Sequence, residues 1–199
     1  MQKMFAFDLD GTVTLEETLP LLARELGLME EMGLLTRLAM EGRVAFDKSL
    51  RMRVHILRKI PLQDIRRIMA EVRIDARIEA FIRERAEECA IVTGNLDAWV
   101  QPLTERLGCQ WYASTSRWDD GGLLQLDRVL DKGETVREMK RQGFFVIAIG
   151  EGFNDIPMFR EADVSIAYGG VHPPVDAAIS MADYFVQDGD ALCRLLEGL

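Results

Sequence analysis

Two hydrophobic patterns alternate along the chain and divide it between them. Short apolar runs rich in β-branched and aromatic residues fill positions 4–8, 90–93, 144–150, 164–167 and 184–186, and such runs predict buried strands. Apolar residues at helical spacing occupy 77–87, 98–107, 134–141, 156–161 and 190–197. Strands that are apolar throughout, alternating with helices, predict a parallel sheet covered on both faces, an α/β core of Rossmann-like type. Two aspartates and two glycines at 119–122 predict a turn between two short extended pieces, a small hairpin.

Residues 14–75 carry the helical pattern alone. Helices are predicted near 18–27, 30–40, 46–58 and 62–72, with Pro61 marking a break. An all-helical insert thus interrupts the α/β domain just after its first strand, leaving a core of residues 1–13 and 76–199. Charge follows the same division. The insert holds 11 basic and 10 acidic side chains, the remainder 13 basic and 23 acidic.

Composition narrows the classes of function. A chain of 199 residues suits one domain of usual size with a modest insertion. With 48% hydrophobic and 29% charged residues, it has the balance of a globule rather than of a disordered chain. A net charge of −9 argues against a nucleic-acid backbone as main partner, and against a membrane surface. The opening MQKMFAFDLD places acids where a secretory signal needs an unbroken apolar region. No apolar run approaches the roughly 18 residues that span a bilayer. Cys89, Cys109 and Cys193 are scattered, with no CxxC spacing, and read as reduced thiols in a cytoplasmic protein.

In open parallel sheets ligands bind at the carboxyl ends of the strands. The first predicted strand ends in Asp8, Leu9, Asp10, Gly11 and Thr12. In extended chain, residues i and i+2 share a side, so both carboxylates can face one pocket. Their repulsion calls for a cation or a shared proton, and Mg2+ prefers such oxygen ligands. Gly11 permits a sharp turn and close approach to the backbone amides. At the next strand end, Thr93, Gly94 and Asn95 offer a hydroxyl and free amides to an oxyanion. Lys132 precedes a predicted helix and can bring positive charge to the same place. The strand at 144–150 ends in Gly150, Glu151, Gly152, Phe153, Asn154 and Asp155, which adds two carboxylates on a glycine-rich turn. Asn154 or Asp155 would equally suit the cap of the following helix, with Pro157 in its first turn.

One cation stands out in the insert. At about 100° per residue, Phe46, Leu50, Leu57 and Ile60 fall within roughly 40° of one direction, and Arg53 lies inside that arc while Arg51 points away. A cation in an apolar stripe needs a core acid or an anionic ligand, and a guanidinium fork suits a carboxylate. Nothing intrinsic separates Glu17 from Glu16. His55 and His172 read as bystanders, and Trp99, Trp111 and Trp118 as packing residues.

Asp8, Asp10, Gly11 and Thr12, then Thr93, then Lys132, then Gly150 to Asp155 resemble, in that order, the four motifs of haloacid dehalogenase-type phosphatases. The resemblance covers nearly the whole chain, including a small helical cap between the first and second motifs. Within that superfamily the chain is most similar to phosphoserine phosphatases, whose pattern is close to Ala39–Arg43 and Phe46–Val54 here. The resemblance implies a Mg2+-dependent phosphomonoester hydrolase working through an aspartyl-phosphate on a small phosphorylated metabolite. O-phospho-L-serine is the expected substrate, which would place the enzyme in serine biosynthesis.

The family's roles, carried onto this chain, make Asp8 the nucleophile and Asp10 the general acid and base. Asp8, Asp10 (through its main-chain carbonyl), Glu151 and Asp155 would hold the metal, and Thr93, Gly94 and Lys132 the phosphoryl oxygens. Glu17 would meet the substrate amino group and Arg53 its carboxylate, with Met40, Phe46 and Asn154 also in the pocket.

The chain departs from the pattern at three places. Glu151 replaces an aspartate and adds a methylene at a site that wants near-ideal octahedral geometry. Gly11 stands where these phosphatases often have serine, and Thr93-Gly94-Asn95 replaces a serine and two glycines. These changes leave open another small phosphate as substrate, or a phosphate-binding protein weakened by Glu151. Monomer and homodimer are both open.

Overall fold

The computed structural model describes residues 2–199, so residue 1 of the expected 1–13 segment lies outside the described residues. The first strand, β1 (Gln2–Phe7), takes the centre of the sheet, because its last four residues are buried on both faces. It runs parallel to β2 (Cys89–Leu96) on one side and β5 (Phe144–Gly150) on the other, with Phe5 opposite both Cys89 and Ile147. Two further parallel strands, β6 (Val164–Tyr168) and β7 (Tyr184–Val186), extend the sheet beyond β5. Beyond β2 lie β3 (Gln110–Trp118) and β4 (Leu124–Arg128), giving the order β4-β3-β2-β1-β5-β6-β7.

The alternation within β1 separates two cores. Met4 and Ala6 pack with Val136, Met139, Met158 and Phe159, from helices α7 (Lys132–Arg141) and α8 (Ile156–Glu161). Phe5 and Phe7 face the opposite way. Their cluster takes in Ile78 and Phe81 of α5 (Ala76–Glu84), Trp99 and Leu103 of α6 (Asp97–Leu107), and Leu192 and Leu196 of α10 (Gly189–Gly198). Each large side chain buried this way contributes about 1.5–3 kcal/mol. Aspartates cap three of these helices: Asp75 accepts from Arg77 N and Ile78 N, Asp131 from Glu134 N, and Asp188 from Ala191 N.

Four helices intervene between β1 and α5: α1 (Thr18–Ala23), α2 (Met29–Met40), α3 (Phe46–Leu57) and α4 (Leu62–Ala70). Leu22, Met32, Leu50, Leu57, Ile65 and Met69 join them to the Phe5 and Phe7 side of the core. Their two chain connections meet in an isolated antiparallel bridge between Thr14 and Ile74.

The elements depart from the expected bounds where local chemistry intervenes. The helix predicted at 18–27 passes at Arg24 into a 3-10 turn, which ends on left-handed Gly27. The strand predicted at 90–93 continues to Leu96 through Thr93, Gly94 and Asn95. The hairpin around 119–122 is present as antiparallel β3 and β4, but β3 also pairs in parallel with β2. A six-residue helix, α9 (Asp176–Met181), has no counterpart in the sequence reading, because it buries only Ala178. Among the described residues, no helix is long and apolar enough to cross a membrane.

Candidate active site

Asp8 N–H donates to Ile149 O at 2.9 Å, which carries the β1–β5 ladder one residue further and fixes Asp8 at the carboxyl edge of the sheet. The chain then turns, with Val13 N and Thr14 N donating to Leu9 O, and Gly11 at φ +75°. That left-handed conformation favours glycine.

Asp8 and Asp10 line the same cavity, but their carboxylates have different partners. Lys132, the first residue of α7 after the Asp131 cap, places its Nζ 2.6 Å from Asp8 Oδ1 and 2.6 Å from Asp155 Oδ1, and all three residues are buried. Asp155 Oδ2 also accepts from Glu151 N at 3.0 Å and Gly152 N at 2.8 Å. Asp155 does occupy the N-cap position of α8, yet its side chain makes no cap bond there. It is held instead toward Lys132.

Glu151 completes the acidic cluster. Thr12 Oγ1 donates to its Oε2, and carboxylate oxygens of Asp8, Glu151 and Asp155 lie within 4.8 Å of one another. Burial and the neighbouring Asp155 push the Asp8 carboxyl up to about 7, against the pull of Lys132. Burial, Asp8 and Asp155 push Glu151 well above the usual carboxylate range, against its hydrogen bond from Thr12. Burial draws Lys132 down, but Asp155 and Asp8 outweigh it and hold the ammonium above its ordinary range. Two of the three buried carboxylates pair with one ammonium, Glu151 has none, and the donors left over are all oxygens. That set fits a hard divalent cation such as Mg2+, and the longer Glu151 reaches the cluster. The Asp10 carboxylate is directed elsewhere.

Asp10 is held by residues that the sequence reading did not assign to it. Its Oδ1 accepts from Thr18 N at 3.1 Å and from Thr18 Oγ1, and its Oδ2 from Asn95 Nδ2 at 3.2 Å. Asn95 Nδ2 also lies 2.8 Å from Thr18 Oγ1. Thr93 Oγ1 accepts from Asn95 N at 3.1 Å. The Asn95 side chain is thus bonded to Asp10, in the cavity that Thr93 and Gly94 also line.

The helices between β1 and α5 supply the rest of the cavity wall. Arg53 is 4% exposed. Its Nη1 donates to Thr36 Oγ1 at 3.2 Å and its Nε to Ser49 O at 3.4 Å, while its guanidinium lies 5.7 Å from the centre of the Phe46 ring. Arg53 Nη2 is buried without a hydrogen-bond partner. The alternative of an internal salt bridge is not what the structure contains: no carboxylate pairs with Arg53 among the described residues. Glu17 Oε1 is likewise buried and without a hydrogen bond, with His172 Nε2 at 3.6 Å. Burial, then Asp10 and Asp8, push the Glu17 carboxyl up to about 8, against the pull of Arg53. Glu16, which the sequence could not tell from Glu17, turns outward to Arg73. Met40 and Asn154 also line the cavity, and the Phe46 ring lies where a Cβ on Gly94 would stand.

Two consequences are measurable. Lys132→Ala leaves the buried carboxylates of Asp8 and Asp155 without their cation, and a broken buried pair costs about 3–5 kcal/mol. Urea unfolding in chelator at pH 8 should show a loss of that size. Second, Asp8 and Glu17 hold protons in the folded state that the unfolded chain has released. The folded chain thus binds more protons between the ordinary values of 3.8 and 4.5 and the raised values of about 7 and 8. Stability of the metal-free protein should therefore fall as pH rises through that window and level off above it. A urea midpoint that rises from pH 5 to pH 8 in chelator would contradict these shifts.

The haloacid dehalogenase-like hydrolase family model matches residues 5–160. A phosphoserine phosphatase of Methanocaldococcus jannaschii is 32% identical over 180 residues, 84% of this chain and 85% of that one. A solved structure described as substrate-bound phosphoserine phosphatase superposes with a TM-score of 0.84 at 30% identity, covering 100% of this chain and 99% of that one. A phospho-aspartyl intermediate analogue of phosphoserine phosphatase superposes at 0.82 with 30% identity and the same coverage. The chain belongs to the haloacid dehalogenase-like hydrolases and has their α/β fold. Within that family it is a phosphoric monoester hydrolase, and its curated relatives carry the name phosphoserine phosphatase.

Proposed function

We propose that the protein hydrolyses O-phospho-L-serine to L-serine and phosphate through an aspartyl-phosphate on Asp8, with Mg2+ held by Asp8, Glu151, Asp155 and the main-chain carbonyl of Asp10. One observation carries the substrate: Arg53 Nη2 and Glu17 Oε1, a guanidinium donor and a carboxyl oxygen, are both buried without a hydrogen-bond partner in the cavity that Asp8 lines. Buried polar groups without partners are costly, and a zwitterion satisfies both, its carboxylate at Arg53 and its ammonium at Glu17. Relatives named for the same substrate support the reading.

A phosphomonoester carries about −1.5 to −2 charges at neutral pH. Mg2+ would supply, beside Lys132, the neutralisation that lets such an anion meet an anionic nucleophile. Asp8 attacks phosphorus, the P–O bond to serine breaks, and the leaving alkoxide takes a proton from Asp10. Asp10 then takes a proton from water, which attacks the acyl phosphate, frees phosphate and regenerates Asp8. The Thr93 hydroxyl and the Gly94 amide hold phosphoryl oxygens, and Thr18 and Asn95 keep the Asp10 carboxyl aimed. Residues 14–75 act as a cap over a core of residues 1–13 and 76–199, opening about 13–14 and 75–76 to admit substrate. The Phe46 ring against Gly94 is part of its closing contact, and Met40 and Asn154 fill out the pocket wall.

The test is phosphate release from a panel of small phosphomonoesters with Mg2+ and with Mn2+. Turnover of phosphoserine well above the panel supports the reading. Activity spread over other esters keeps the phosphatase and discards the substrate, and no release with either metal defeats both.

A further inference from the structure

Gly11 lies between two acids that belong to different parts of the site. A Cβ built on it would stand 2.9 Å from Glu17 Oε1 and 3.1 Å from Glu151 Oε1, inside van der Waals contact with both. The space a side chain would fill at position 11 is therefore occupied by carboxylate oxygens. Glu151 has no room to retreat, because Thr12 holds its other oxygen and its carboxylate reaches the cluster of Asp8 and Asp155. It is also fully enclosed, at 2% exposure. Gly11 and Glu151 are both places where the motifs depart from the pattern they resemble, and in the folded protein the two departures touch.

We propose that Gly11 and Glu151 form a matched pair, in which the side chain missing at 11 is the room that the longer acid at 151 needs to bring its carboxylate into the cation site. The proposal rests on reading Asp8, Glu151 and Asp155 as that site. An aspartate at 151 is one methylene shorter, so its carboxylate withdraws from Gly11 and clears that side, while the approach of Glu17 Oε1 is the same whichever acid stands at 151. A side chain at 11 should then be harmful opposite Glu151 and tolerated opposite aspartate. Gly11 acts through Glu151 and is a positioning residue. Its left-handed φ imposes a backbone cost on any substitution, but that cost is the same whichever acid stands at 151.

The experiment is a double-mutant cycle on the full chain, with Gly11→Ala, Glu151→Asp and the two combined. Mg2+ binding is read by titration calorimetry and the backbone cost by urea unfolding in chelator. In the Glu151 background Gly11→Ala should weaken Mg2+ binding about tenfold; with Asp at 151 it should weaken it no more than about twofold. Gly11→Asn, which tolerates the left-handed region, runs the same cycle should the alanine variant not fold. Equal losses in both backgrounds, or no loss opposite Glu151, overturn the matched pair and leave the cation site standing. Unaltered protein that binds no Mg2+ overturns the cation site and the pair with it.

Discussion

Asp8→Asn protein should fold and release phosphate from phosphoserine at least about 10⁴-fold more slowly than the unaltered enzyme. The amide keeps the shape of the carboxylate but offers no nucleophile. Lys132 keeps its second partner, since Asp155 Oδ1 is also 2.6 Å from Nζ. The folded state already resists ionising Asp8, whose carboxyl is pushed up to about 7 by burial and Asp155. Removing that charge at pH 8 should leave metal-free stability equal or higher. The expected variant is thus inactive and stable, a combination that simple misfolding does not produce. Phosphate release above about one per cent of the original would exclude Asp8 as nucleophile.

Arg53→Ala should raise KM for phosphoserine about 10²-fold or more, the range expected when a buried charge-assisted pair loses one partner. Turnover of phosphoethanolamine, which has no carboxylate, should change little. The split matters because Arg53 also packs, with Phe46 beneath its guanidinium and Thr36 and Ser49 bonded to it. If that packing were its whole role, both esters would suffer alike. Arg53→Lys should recover only part of the loss, since an ammonium lacks the planar fork that matches a carboxylate. Equal KM increases for the two esters would remove Arg53 from substrate recognition.

The sequence showed most where burial is complete. Strands β1, β2 and β5 read as strands because water reaches neither face, and Arg53 stood out because helical spacing set it in an apolar arc. The strand ends carrying Asp8, Thr93 and Glu151 followed from the rule that ligands gather at carboxyl edges. The parallel half of β3 did not show, because only Ser114 of its nine residues is fully buried and its pattern is mostly polar. Asn95 was missed as a partner of Asp10 because 85 residues separate them and no local signal reports a meeting made by the sheet, and Thr18, eight residues on, because it reads simply as the start of a helix. Glu17 and Glu16 differ only in which way the chain entering α1 points each side chain.

The central place of β1 sets an order of events during synthesis. Of the seven strands in this sheet it leaves the ribosome before the other six, yet one edge stays unpaired until Phe144–Gly150 has followed. The helices of residues 18–70 meet neighbours close in sequence and can pack sooner, whereas the sheet must wait for a distant partner, the slower kind of contact. Because Asp8 N–H bonds to Ile149 O, its carboxylate is not set in place before then. A nascent chain halted before Phe144 would carry its helical insert and all the residues of the first motif, and still have no assembled nucleophile.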